Sequence, residues 1–187
     1  MTHKIKLDPE TKKALLSPGL MLIGGVTSGE TDPIKCVVNY LHAKGLRSIQ
    51  IADPENKYGF KKAGVEEQTF KKKDHASTVR AALRMNPQAL VVGEIQNYEI
   101  LDIALMAADI GHIVIGTLHA RTPKIIKERL LDMQPIPRSV ITKEILDINL
   151  RIITQARNET GEIELKTNKF SPKPSFWAQR LIEALSV

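Results

Sequence analysis

Hydrophobic positions along the chain fall into short runs and helical stripes that alternate. Leu20 to Ile23 is a continuous apolar run closed by Gly24-Gly25, the pattern of a buried strand entering a turn. Pro33 stands where the first turn of a helix accepts proline. Ile34, Val37, Val38 and Leu41 then recur at helical spacing until Gly45. Ile49 and Ile51 alternate with polar neighbours as a second strand, which meets Asp53-Pro54. Tyr58 to Asp74 is polar, glycine-containing and lysine-rich, and predicts a loop or irregular hairpin. A helix over Ala76 to Met85 closes before Asn86-Pro87, and Ala89 to Val92 is a third strand ending at Gly93-Glu94. Asn97 is placed to cap a helix whose apolar face is Ile100, Ile103, Ala104, Ala107 and Ala108. Gly111 ends that helix, and His112 to Ile115 forms a fourth strand. Strands alternating with helices predict an α/β domain with a mostly parallel sheet.

The pattern changes after His119. Lys124 to Met133 and Val140 to Ile148 read as two successive helices, and Arg151 to Thr154 and Glu162 to Leu165 as strands around a turn at Asn158 to Gly161. Ser175 to Leu185 can close the chain as an amphipathic helix. The expected organisation is a lead-in over 1–18, a core over 19–120 and a C-terminal helical and hairpin appendage over 121–187.

Composition narrows the class. With 42% hydrophobic and 26% charged residues among 187, the chain is neither disordered nor collagen-like. A single cysteine, Cys36, excludes a disulfide framework and a cysteine-rich zinc site. The apolar runs fall far short of the ~20 residues a spanning helix needs. Met1 to Leu7 carries no apolar core of a secretory signal. A soluble, cytoplasmic domain is expected. The net charge of +6 is modest. Lys61-Lys62 and Lys71-Lys72-Lys73 offer a surface to nucleic acid, but aromatics are 4% of the chain and none interleaves the second run. A solvated loop accounts for these lysines better, so nucleic acid is not the expected partner.

Three motifs bear chemistry. Gly24-Gly25-Val26-Thr27-Ser28-Gly29-Glu30-Thr31 has its glycines at the spacing of a phosphate-binding loop, G-x-x-x-x-G. Thr31 holds the place of the Mg²⁺-binding hydroxyl, and the run lies between a strand and a helix, where backbone N–H groups can cradle phosphate. Glu30 occupies the lysine position. At ~4 Å and an effective dielectric of 20 a carboxylate is repelled by a phosphate charge by up to ~4 kcal/mol. That approaches ~1000-fold in affinity. Second, Leu90-Val91-Val92-Gly93-Glu94 is an apolar strand ending in an acid, where a carboxylate can support Mg²⁺ or polarise water; a strand-end helix cap explains it equally well. Third, Gly116-Thr117-Leu118-His119-Ala120 puts an imidazole at the edge where parallel sheets bind ligands. Most lone histidines are structural hydrogen bonders, and His112 beside Gly111 is read that way. Arg80 and Arg84 share a helix face and can reach a neighbouring subunit's phosphates or simply pair with carboxylates.

Taken in order, these pieces resemble the ATPase domain of the type II secretion and type IV pilus motor family, most closely its pilus-retraction and conjugation-type members. The similarity is densest over Val79 to Pro87, Val91 to Ile95, Ala107 to His112 and Gly116 to His119, within a span of roughly Gly19 to Gln155. The resemblance implies a RecA-like P-loop NTPase core that assembles into a hexameric ring with ATP and Mg at subunit interfaces. It assigns phosphates to Gly24 through Thr31, and Mg or water to Glu94 together with Thr31. It gives nucleotide sensing to His119 and interface or phosphate contacts to Arg80 and Arg84.

The chain departs from the family where catalysis is most exposed. Beyond Glu30, the acidic box that runs Glu-Asp-Pro in the family reads Ala52-Asp53-Pro54, leaving Asp53 and the differently placed Glu55. Gln96-Asn97 follows Glu94 where Arg-Asp is usual, and Thr69 follows Gln68 where an arginine is usual. Eighteen residues precede Gly19, so a degenerate member lacking the family's N-terminal domain is expected. The leading expectation is a weak or inactive ATPase acting by assembly. It would form a homo-oligomer or a mixed ring with an active paralogue, at a secretion or pilus inner-membrane platform. The alternatives are an active motor subunit using a displaced lysine, Lys35, and a nucleic-acid-binding module.

Overall fold

A computed structural model of the chain describes residues 5–24, 33–53, 58–68, 74–120, 122–133, 150–157 and 162–169. Its strands are β1 (Ile5–Leu7), β2 (Gly19–Gly24), β3 (Ile49–Ala52), β4 (Val65–Gln68), β5 (Ala89–Glu94), β6 (Ile113–Leu118), β7 (Arg151–Arg157) and β8 (Ile163–Lys169). The helices are α1 (Pro9–Ala14), α2 (Pro33–Ala43), α3 (His75–Arg84), α4 (Tyr98–Asp109) and α5 (Pro123–Asp132). All eight strands form one sheet in the order β1-β8-β7-β2-β6-β5-β3-β4. Every pairing is parallel except β7 with β8.

The apolar runs become central strands because both faces of the sheet are covered. Along β2 the side chains alternate between two cores. Leu20 and Leu22 join Val79, Ile100, Ile103, Ala104, Ile126 and Leu130 from α3, α4 and α5. Met21 and Ile23 join Ile34, Val37, Val38 and Leu41 from α2 on the other face. Each such buried aliphatic side chain contributes about 1.5–3 kcal/mol of transfer free energy. Helix starts follow their cap residues: Asn97 Oδ1 accepts from Ile100 N at 3.1 Å, and Thr122 Oγ1 from Ile125 N at 3.3 Å. Among the described residues no helix is long and apolar enough to cross a membrane.

Three features differ from the sequence reading. The segment expected as a loop or hairpin contains β4, an edge strand parallel to β3 from Ile49↔Val65 to Ala52↔Gln68. Only Val65 in it is buried, because an edge strand needs one apolar anchor and backbone pairing rather than alternation. The polar lead-in holds β1 and α1: Ile5, Lys6 and Leu7 pair with β8, and Asp8 caps the helix that Pro9 begins. The hairpin expected as an appendage completes the sheet. β7 lies beside β2, from Met21↔Arg151 to Gly24↔Thr154, so one sheet runs through the boundary expected at residue 120. The helices read over Val140 to Ile148 and Ser175 to Leu185, and the turn at Asn158 to Gly161, lie outside the described residues.

This topology has a switch point between β2 and β6. β2 leads toward α2 on one face, while its neighbour β6 leads toward α5 on the other. Adjacent parallel strands whose connections leave in opposite directions open a gap at their carboxyl ends, where such folds bind ligands.

Candidate nucleotide site

The carboxyl ends of β2, β6, β5 and β3 stand side by side and bring Gly24, His119, Glu94 and Asp53 to one edge of the sheet. Gly24 ends β2 opposite Leu118, so His119 follows at the level of the next residue. Any side chain at Gly24 would meet Ile126 Cδ1 at 2.3 Å and the Ala120 carbonyl at 2.7 Å, which explains why the strand ends in glycine. Glu94 ends β5 opposite Thr117. Asp53, just past β3, is buried.

Glu94 is the centre of the cluster. Its Oε2 accepts from Gln96 Nε2 at 2.9 Å, and its Oε1 lies 3.5 Å from His119 Nε2. The His119 side chain is 62% exposed and that of Glu94 30%, so the pair itself is worth at most about 1 kcal/mol. The loop after β6 is fixed instead through its backbone, since Arg129 Nη1 of α5 donates to the His119 carbonyl at 2.6 Å. β5 reaches this edge through an irregularity: its register with β6 shifts between Val91 and Gly93. Gly93 has φ +69°, and its Cα faces the Asp53 carboxylate so closely that a Cβ would lie 2.7 Å from Asp53 Cγ. Tyr58 Oη donates to Asp53 Oδ2 at 3.1 Å.

The remaining predicted residues are placed as follows. Gly25 through Thr31, Glu55, Thr69 and Lys71 to Lys73 lie outside the described residues. Arg80 pairs with Glu99 of α4 at 2.9 Å, and Arg84 is exposed one turn on. Lys35 is exposed in the first turn of α2. His112 Nδ1 meets the Pro87 carbonyl at 2.8 Å, a structural bond as expected. Lys61 is exposed, and the Lys62 ammonium donates to the Asn39 side chain. Burial pushes the Cys36 thiol above its ordinary range, which disfavours the thiolate.

Sequence reading missed three contributors. Gln96 was visible only as a departure from a pattern, yet it holds one oxygen of Glu94. Tyr58 and Arg129 gave no signal, because their roles arise from chain segments meeting at the sheet edge.

Among the described residues no group of three or more His, Cys, Asp or Glu can hold a metal unaided. Mg²⁺ needs no such cage, taking one or two carboxylates, phosphate oxygens and water. Glu94, a partly exposed carboxylate at the strand end, fits that part directly or through water.

The chain matches the type II/IV secretion system protein family over residues 4–177. It belongs to that family. The protein YggR of Escherichia coli K12, itself uncharacterized, is 32% identical over 156 residues, covering 78% of this chain and 46% of YggR. The type IV pilus retraction ATPase PilT of Pseudomonas aeruginosa is 30% identical over 140 residues, 72% of this chain and 41% of PilT. The chain thus spans less than half the length of these curated relatives. Among solved structures, the pilus retraction motor PilT with bound ADP superposes with a TM-score of 0.69 at 24% identity, covering 97% of this chain and 57% of that one. The Legionella pneumophila ATPase DotB gives 0.68 at 21%, covering 94% and 52%. These likenesses establish the fold: α/β, with the mostly parallel sheet of the secretion ATPase domains.

Proposed function

We propose that this chain is the ATPase-type domain of a type II secretion, type IV pilus or conjugation motor in which hydrolysis is weak or lost, and that it acts by assembly. One contrast carries the reading. Glu94 is held between Gln96 at 2.9 Å and His119 at 3.5 Å, while the lysine position of the phosphate loop is Glu30. Phosphoryl transfer depends almost wholly on positioning and charge stabilisation, so inverting one charge beside the phosphates weakens binding and turnover together.

In this reading ATP and Mg are the ligands. Thr31 and Glu94 serve the metal, and residues 24–31 cradle the phosphates. Asp53, or Glu55 in place of the missing box acid, supports the attacking water. His119, tied to Glu94, responds to the nucleotide. The partners are further copies of this chain or an active paralogue in a ring, in which Arg80 and Arg84 are interface residues, with an inner-membrane platform as the docking point. The site of action is cytoplasmic and peripheral to that membrane.

A second reading, a working ATPase, is favoured by one observation: Lys35 is exposed four residues beyond Thr31, at the start of α2. Steady-state phosphate release separates the two. The proposal expects release near background in the wild-type chain and a rise in Glu30→Lys. Substantial wild-type release abolished by both Glu94→Gln and Lys35→Ala would replace it with the second reading.

A further inference from the structure

We propose that His75 is a positioning residue for Glu94: its imidazole holds the bulge in β5 from which that carboxylate projects. The register of β5 against β6 runs Val91↔Ile115 and then Gly93↔Gly116, so Val92 is the residue the ladder skips. A bulge residue has no ladder partner, and a buried carbonyl left unpaired is costly. His75 meets that carbonyl: its Nε2 lies 2.6 Å from Val92 O, and the side chain is buried at the start of α3. The partner is a carbonyl oxygen, so Nε2 carries the proton and donates. On the other side, Gly93 at φ +69° is pressed against the Asp53 carboxylate. The next residue is Glu94.

The bulge is therefore clamped by α3 from one side and by the end of β3 from the other. A bulge re-aims the side chains that follow it. Glu94 is directed to Gln96 and His119 by the turn of the backbone at Val92 and Gly93, and His75 fixes that turn. A phenyl ring in the same place fills the same volume and offers no donor. What Glu94 is aimed at, Mg and nucleotide, rests on the proposed function; that His75 fixes the bulge does not.

The test compares the wild-type chain with His75→Phe and His75→Gln, the latter retaining an N–H donor. Native-state amide exchange reads the bulge directly. The Ile95 amide donates to the Thr117 carbonyl at 2.9 Å just past it, and Met21 in β2 reports the rest of the sheet. In His75→Phe the Ile95 amide is expected to exchange about tenfold faster relative to Met21, the scale of one buried hydrogen bond left half-made. His75→Gln is expected to restore most of the protection. A second arm, in a Glu30→Lys background where nucleotide affinity is expected to return, measures how much Mg²⁺ increases ADP affinity with and without His75→Phe. That increment falls in His75→Phe while Mg-free ADP affinity does not. A uniform acceleration at Ile95 and Met21 alike, or no change at either, would reduce His75 to a core-packing residue. If the Glu30→Lys chain binds no ADP, the nucleotide reading falls, and the exchange ratio alone decides the role of His75.

Discussion

Substituting Gly93 by alanine probes the junction on which the candidate site depends. Two costs add there. At φ +69° a residue with a Cβ is strained by roughly 1–2 kcal/mol. The new methyl would also lie 2.7 Å from Asp53 Cγ and 2.8 Å from Oδ2, so the carboxylate must move. Moving it breaks the Tyr58 bond at 3.1 Å, and a hydrogen bond to a charged group is worth about 1.5–3 kcal/mol. Together Gly93→Ala should destabilise the chain by about 2.5–5 kcal/mol, a large share of a domain's typical 5–15 kcal/mol. Urea unfolding measures it. In an Asp53→Gly background the clash is gone and only backbone strain remains, so Gly93→Ala should then cost about 1–2 kcal/mol. A single-variant cost under about 1 kcal/mol, or an equal cost in both backgrounds, would refute the contact between Gly93 and Asp53 as the source.

The end of β2 responds differently: Gly24→Ala should cost about 1–3 kcal/mol by unfolding, and Ile126→Ala should rescue it only in part, because the Ala120 carbonyl at 2.7 Å stays in place. Arg80→Ala should lower stability by less than about 1 kcal/mol in a thermal melt, since its pair with Glu99 is exposed; a larger loss would place Arg80 in the packing of α3. Burial alone would raise the Asp8 carboxyl, but the Thr11 hydroxyl and the N–H groups of Thr11 and Glu10 outweigh it and hold it below its ordinary range. Its contribution is therefore present above that range and lost as pH falls through the lowered value, so the melting difference between wild type and Asp8→Asn should shrink on acidification. A difference that grows on acidification would reverse the sign.

What could be read from the sequence divides along physical lines. The central strands were legible because Leu20 to Ile23 and Ala89 to Val92 are buried on both faces, and burial on both faces leaves a continuous apolar run. The start of α4 was legible because Asn97 caps it through its own side chain. β4 was hidden because its four residues, Val65-Glu66-Glu67-Gln68, hold their place by pairing with β3 rather than by apolar pattern. β1 was hidden because Ile5-Lys6-Leu7 at the opposite edge is three residues, too short to carry a pattern. At the site, Glu94 and His119 were visible singly as strand-end residues. Their 3.5 Å approach follows from β5 lying beside β6, which no local pattern encodes. His75 was invisible as a partner of Val92 because the two meet only once a strand contains a bulge.

The most direct test of the proposed function is calorimetric titration of the full chain with ATP and with ADP in the presence of Mg²⁺, alongside its mass in solution. The account predicts an assembled protein with no binding at micromolar nucleotide. It also predicts that Glu30→Lys gains affinity toward the ~1000-fold set by removing charge repulsion at the phosphates. Micromolar binding by the wild-type chain, unchanged in Glu30→Lys, would contradict it.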